Sequence, residues 1–102
     1  MLPTQEEMIL QLEQVIDPEL GIDIVNLGLI YDVQVSQQGA CLVTMTLTTP
    51  ACPLVGVLTS DVETTLKELP GIEEVFVDIV FNPPWTPANM SRYARIALGI
   101  SL

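Results

Sequence analysis

Residues 29–48 decide the fold: Leu-Ile-Tyr-Asp-Val-Gln-Val-Ser-Gln-Gln-Gly-Ala-Cys-Leu-Val-Thr-Met-Thr-Leu-Thr. Leu29, Tyr31, Val33 and Val35 fall on one side of a period-two pattern, with Asp32, Gln34 and Ser36 on the other. Gln37-Gln38-Gly39 interrupts it, and Cys41, Val43, Met45 and Leu47 then alternate with Leu42, Thr44, Thr46 and Thr48. Two alternating runs joined by a short polar turn that ends in glycine read as a β-hairpin. Residues 28–36 and 40–48 are therefore expected to pair antiparallel, with Cys41 as core filler beside Val43 and Met45.

On the N-terminal side, Thr4 followed three residues later by Glu7 forms a capping box, and Met8, Ile9, Leu12, Val15 and Ile16 recur at helical spacing. Asp17-Pro18 should end that helix, because the residue before proline is pushed out of the α region. Gly21 to Asn26 reads as a loop. On the C-terminal side, Pro53 suits the first position of a helix, where its missing N–H costs nothing. Val55, Leu58, Val62, Leu66 and Leu69 form the apolar stripe of that helix, and Pro70-Gly71 stops it. A third strand follows, with Val75, Val77, Ile79 and Phe81 facing in, and Asn82-Pro83-Pro84 breaks it. Thr86 with Pro87 then opens a last helix, carried by Met90, Tyr93, Ala94, Ala97 and Leu98 and closed by Gly99. The order is α-β-β-α-β-α. It makes an α+β two-layer sandwich in which a small three-stranded sheet packs on helices. At 102 residues, the chain is expected to be a single domain, 1–102.

Composition removes several functions. Three Lys and Arg against thirteen Asp and Glu give a net charge of −10, and histidine is absent. Nucleic-acid binding needs basic residues to neutralise phosphates, so no nucleic-acid partner is expected. Without His there is no Ser-His or Cys-His nucleophile pair and no imidazole metal ligand. The longest uncharged stretch, Val33 to Ser60, is broken by Ser36-Gln37-Gln38-Gly39, by a row of Thr, and by Pro50 and Pro53. It is no membrane span, which needs about 20 consecutive apolar residues. The N-terminus is acidic rather than basic, unlike a signal peptide. A cytoplasmic location with reduced thiols is the expectation.

Chemistry points first to Cys52. It lies between Pro50 and Pro53 at the strand-to-helix junction, where unpaired N–H groups and the helix dipole favour a thiolate. The competing reading is a small apolar residue in a crowded corner. Asp17-Pro18-Glu19 offers two carboxylates on a rigid turn, either a metal- or proton-handling pair or simple helix punctuation. Trp85, the only tryptophan, sits in the Pro-rich stretch 82–87 as an interface anchor or as a lid on the sheet. Arg92 and Arg95 on the last helix either grip an acidic group or complement the helix C-terminus.

These signals occur together in one family. Asp17-Pro18-Glu19, then Asn26 to Tyr31, then Thr48-Thr49-Pro50-Ala51-Cys52-Pro53, then Pro84-Trp85-Thr86-Pro87 and Leu98-Gly99 resemble the MIP18-like family, which includes the SufT and PaaD-like iron–sulfur cluster assembly factors. The resemblance spans roughly residues 8–100. It implies an iron–sulfur assembly-domain fold and a role in making clusters or delivering them to client proteins. It matches Cys52 to the family's functional cysteine, and Asp17 and Glu19 to its acidic motif. Thr48 and Trp85 match positions that shape the same site. The chain lacks the cysteine-rich tail common in the PaaD-like branch, so the general maturation branch fits better.

The residues limit the mechanism. A cluster normally takes four thiolates, and one chain offers one plausible ligand, so no permanently bound cofactor is expected, only a transient Fe–S cluster or iron. A homodimer could join two Cys52 thiolates, a partner could complete the ligand set, or Cys52 could act only during handover. The second and third are favoured. The expected partners are the Fe–S assembly machinery and client apo-proteins, with no catalytic residue assigned and the chain an adaptor rather than an enzyme. Two rivals remain: a thiol enzyme with Cys52 as nucleophile and Asp17 or Glu19 as base, and a pure interaction module.

Overall fold

A computed structural model of the chain describes residues 2–48 and 55–99. Thr4 opens α1 (Gln5–Leu12): its Oγ1 accepts the Glu7 N–H at 3.1 Å, and the Glu7 carboxylate accepts the Thr4 N–H at 3.0 Å. The helix ends earlier than Asp17-Pro18 implies. Val15 and Ile16, both β-branched, lie beyond it, with Ile16 bridging antiparallel to Asp23 and the Val15 carbonyl accepting from Ile24 at 3.0 Å. Ile16, expected on the apolar helix face, is consequently exposed.

β1 (Ile30–Val35) and β2 (Ala40–Met45) form the expected antiparallel hairpin. Gly39, at φ +88°, closes its turn and donates to Ser36 O at 3.0 Å. Beyond β2, the Thr46 N–H still bonds Leu29 O at 2.8 Å, so the pair runs a step further than its regular ladder. An irregularity between Ile30 and Asp32 breaks the strict alternation of β1. It leaves Tyr31 half-buried rather than in the core, while Leu29 and Val33 face inward.

α2 (Val55–Lys67) crosses from β2 to β3 (Glu74–Ile79), which pairs parallel to β2 with Cys41 opposite Val75 and Met45 opposite Ile79. The sheet order is β1-β2-β3, a mixed three-stranded sheet. α1 and α2 pack on the sheet and on each other, so the helices occupy one layer. Between the layers lies one continuous core that includes Leu12, Val43, Met45, Val62 and Leu66, all with no exposed surface. Cys41 belongs to it, as its alternation predicts. β3 ends before Phe81, which is exposed rather than inward-facing.

The last helix also differs from the sequence reading. Thr86 and Pro87 open only a 3-10 turn (Pro87–Asn89), and the Thr86 side chain makes no capping hydrogen bond. The α-helix proper, α3 (Arg92–Ala97), begins at Ser91, whose Oγ accepts the Ala94 N–H at 3.2 Å. Met90 and Ala94 are buried, but Tyr93 is exposed. The element order α-β-β-α-β-α stands, and the α+β two-layer arrangement with it.

Candidate functional site

The segment from Val15 to Tyr31 is held by its own backbone and by two carboxylates, Asp17 and Asp23. Asp17 is only 4% exposed. Its Oδ1 accepts the N–H of Glu19 at 2.8 Å and of Leu20 at 3.3 Å, an Asx turn that fixes the path over Pro18. The Asp17 N–H bonds Ile22 O at 2.9 Å, and the Gly21 N–H bonds Asp17 O at 2.7 Å. Asp17 therefore shapes the turn, while the neighbouring Glu19 side chain stands exposed. The two acids share one turn, as their spacing implies, but they play different parts in it.

Trp85 joins the C-terminal segment to this same loop. Its Nε1–H donates to Leu27 O at 2.7 Å, and its half-buried ring packs against the core. Tyr31 reinforces the seam from the other side, its hydroxyl donating to Pro83 O at 2.8 Å. Gly28, at φ +77°, lies so close to the Asn89 backbone that a Cβ would fall 2.2 Å from Asn89 O. Only glycine lets the two segments approach this way.

A second polar connection involves residues that the sequence patterns above do not single out. Asp23, 8% exposed, accepts the Asn26 N–H at 3.0 Å and the Asn26 Nδ2–H at 2.7 Å. The oriented Asn26 Oδ1 accepts the Ser91 hydroxyl at 2.6 Å, and Asn26 O accepts the Ser91 N–H at 2.8 Å. Asp23, Asn26 and Ser91 thus dock α3 onto the acidic loop. The Asp-x-x-Asn spacing was the available signal.

Thr48 is half-buried beyond β2, two residues past the fully buried Thr46. The Thr46 N–H bonds Leu29, and Leu27 nearby receives the Trp85 indole, so the strand exit and the tryptophan converge on residues 27–29. The Thr46 hydroxyl has no hydrogen-bond partner among the described residues. Cys52, with Pro50 and Pro53, lies outside the described residues. The other thiol, Cys41, has no exposed surface; its Sγ lies 3.9 Å from Met8 Sδ, and burial pushes its pKa up. Among the described residues, no three of His, Cys, Asp and Glu gather into a group that could hold a metal ion. No helix among them is long and apolar enough to cross a membrane.

A family model described as iron-sulfur cluster assembly protein matches residues 6–79, from α1 through β3. The chain belongs to that family. It is 53% identical over 96 residues to the Fe-S protein maturation auxiliary factor YitW of Bacillus subtilis, an alignment that covers 94% of each chain. It is 58% identical over 87 residues to the Fe-S protein maturation auxiliary factor SufT of Staphylococcus aureus, covering 85% of this chain and 99% of that one. A crystal structure of a domain of unknown function from Bacillus anthracis superposes with a TM-score of 0.89 at 48% identity, over 95% of this chain and 92% of the other. The family resemblance is thereby confirmed, and with it the α+β fold class.

Proposed function

We propose that the chain is an iron–sulfur protein maturation factor that assists delivery of clusters to client apo-proteins, with Cys52 as a transient ligand or transfer thiol. Near full-length similarity to two maturation auxiliary factors supports the role. The observation that carries the residue assignment is the sealing of Cys41. Cys41, one of the two cysteines in the sequence, is enclosed in hydrocarbon with its thiolate disfavoured. A thiol function in this chain then falls to Cys52. Asp17 and Trp85 fix the loop that the family motif associates with that cysteine, Glu19 presents a carboxylate at its surface, and Thr48 lines the exit of β2.

The cluster is cargo in this reading. A single ligating thiol leaves most coordination positions to another molecule, so the chain assists a transfer without storing a cluster. The assembly machinery, the clients, or a second copy supplies the remaining ligands. The same turn counts against Asp17 as the base of a thiol enzyme, because its Oδ1 already accepts two backbone N–H groups and holds the loop.

The test compares wild type with Cys52→Ser in cells and in vitro. Cluster occupancy of client enzymes should fall in the variant while its thermal midpoint stays near that of wild type. Native iodoacetamide treatment should give one adduct, mapped to Cys52. Anaerobic reconstitution with iron and sulfide, followed by absorbance and native mass, distinguishes a bridged dimer from a chain that needs a partner. Fully active clients in the Cys52→Ser strain would overturn the assignment, as would a Cys52 that resists alkylation in the folded protein.

A further inference from the structure

α1 and α2 cover one face of the sheet, and among the described residues the opposite face carries exposed side chains. On it, the register aligns Gln34, Leu42 and Phe76 across all three strands. Leu42 is 45% and Phe76 55% exposed, a neighbouring apolar pair on adjacent strands. The next row on the same face is Asp32, Thr44 and Asp78, and Glu74 stands on the other side of Phe76 along β3. Acids therefore flank the apolar pair at both ends. No Lys or Arg occurs in any of the three strands.

From this pattern we infer that this sheet face is a docking surface for a protein partner that presents an apolar side chain between lysines or arginines. Charge selects the occupant. Nucleic-acid phosphates and anionic lipid headgroups carry the same sign as the acids and are repelled. A second copy of this chain would bring its own excess of ten negative charges against the same face. A basic partner reverses both objections: its cations meet Asp32, Asp78 and Glu74, while its apolar side chain covers Leu42 and Phe76. Three strands about 4.8 Å apart and about 3.3 Å per residue give a small platform. Its contact belongs with the small, transient class below about 1,200 Å². None of the residues that define this surface belongs to the Asp17 turn.

The probe is a nine-residue peptide, Lys-Ser-Lys-Leu-Lys-Phe-Lys-Ser-Lys, titrated into isotope-labelled protein and followed by amide chemical shifts. Shifts should concentrate on residues 32–34, 42–44 and 74–78, and binding should weaken as salt is raised. Phe76→Thr and the Glu74→Lys/Asp78→Lys double variant should each weaken binding about tenfold. Glu13→Lys/Glu68→Lys, which changes the charge equally on exposed residues of the helical layer, should leave it near wild type. Cys52→Ser should bind normally, so failure of the thiol assignment and failure of this surface are separately visible.

Three outcomes would overturn the proposal. One is equal binding of a peptide with Ser in place of Leu and Phe, which reduces the effect to bulk charge. The second is shifts spread over α1 and α2. The third is self-association of the wild type that Phe76→Thr abolishes, which assigns the face to a second copy.

Discussion

At the scale of single residues, the surroundings of Cys41 set its chemistry. Cys41 sits on the inward side of β2 with no exposed surface, and burial raises its pKa because the low-dielectric core disfavours the thiolate. The sign of the consequence follows from proton counting. As pH rises, the unfolded chain gives up its Cys41 proton first, so above the unfolded value the folded state binds more protons and stability declines. Below that value the contribution is fully present. Urea midpoints measured from neutral pH into the alkaline range should therefore fall in wild type, and the fall should be shallower in Cys41→Ala. That variant also starts lower, by about 1–2 kcal/mol for a small buried truncation. Parallel curves for the two proteins would show that Cys41 carries no alkaline penalty. The place of Cys41 was legible in the sequence, because alternation with Val43 and Met45 assigns a face without tertiary information. The role of Asp17 was not. A carboxylate before proline can be read as ligand or as punctuation, and the two N–H groups on Oδ1 show that it holds the turn.

Among the elements, legibility tracks the source of the stabilisation. β2 and the Leu58, Val62 and Leu66 stripe of α2 bury what their periods dictate, since each meets a regular layer. α1 and α3 depart from their sequence patterns at the ends that another segment decides. Val15 and Ile16 leave the helix to bond residues 22–24. Thr86-Pro87 has the better local start signal for the last helix, yet Ser91 is chosen because Asn26, fixed by Asp23, bonds both its hydroxyl and its N–H. This difference yields opposite expectations for two conservative variants. Ser91→Ala removes a helix cap and strips a partner from Asn26, costing about 1–2 kcal/mol. Thr86→Ala should stay within about 0.5 kcal/mol, as an exposed substitution that breaks no cap. Urea midpoints give the magnitudes, and amide hydrogen exchange gives the location. Ser91→Ala should lose protection over residues 92–98 while β1, β2 and β3 keep theirs. Equal losses in the two variants would contradict a helix start set by the Asp23–Asn26 contact.

For the molecule as a whole, the governing fact is thirteen acids against three bases within a radius of gyration of 13.5 Å. That dimension is comparable to the Debye length of about 10 Å at 0.1 M salt and well below the 30 Å at 0.01 M. In dilute buffer the acids on α1, the 17–23 loop, α2 and β3 consequently act on one another across the fold. Unfolding separates them, so self-repulsion works against the compact state. Adding sodium chloride should raise the thermal midpoint over the range where the screening length shrinks below the molecular radius. A gain near 1 kcal/mol corresponds to about 4–8 °C for a domain of this size. Scanning calorimetry at low and moderate salt tests this, with Glu13→Gln/Glu68→Gln as the internal control. Removing two exposed acids should recover part of the gain at low salt and add little at high salt. A midpoint independent of salt would mean that the charges are too well solvated to repel across the fold. The acids around Leu42 and Phe76 would then lack the field needed to exclude a second copy from that face, and the case for a basic partner would lose its electrostatic selection.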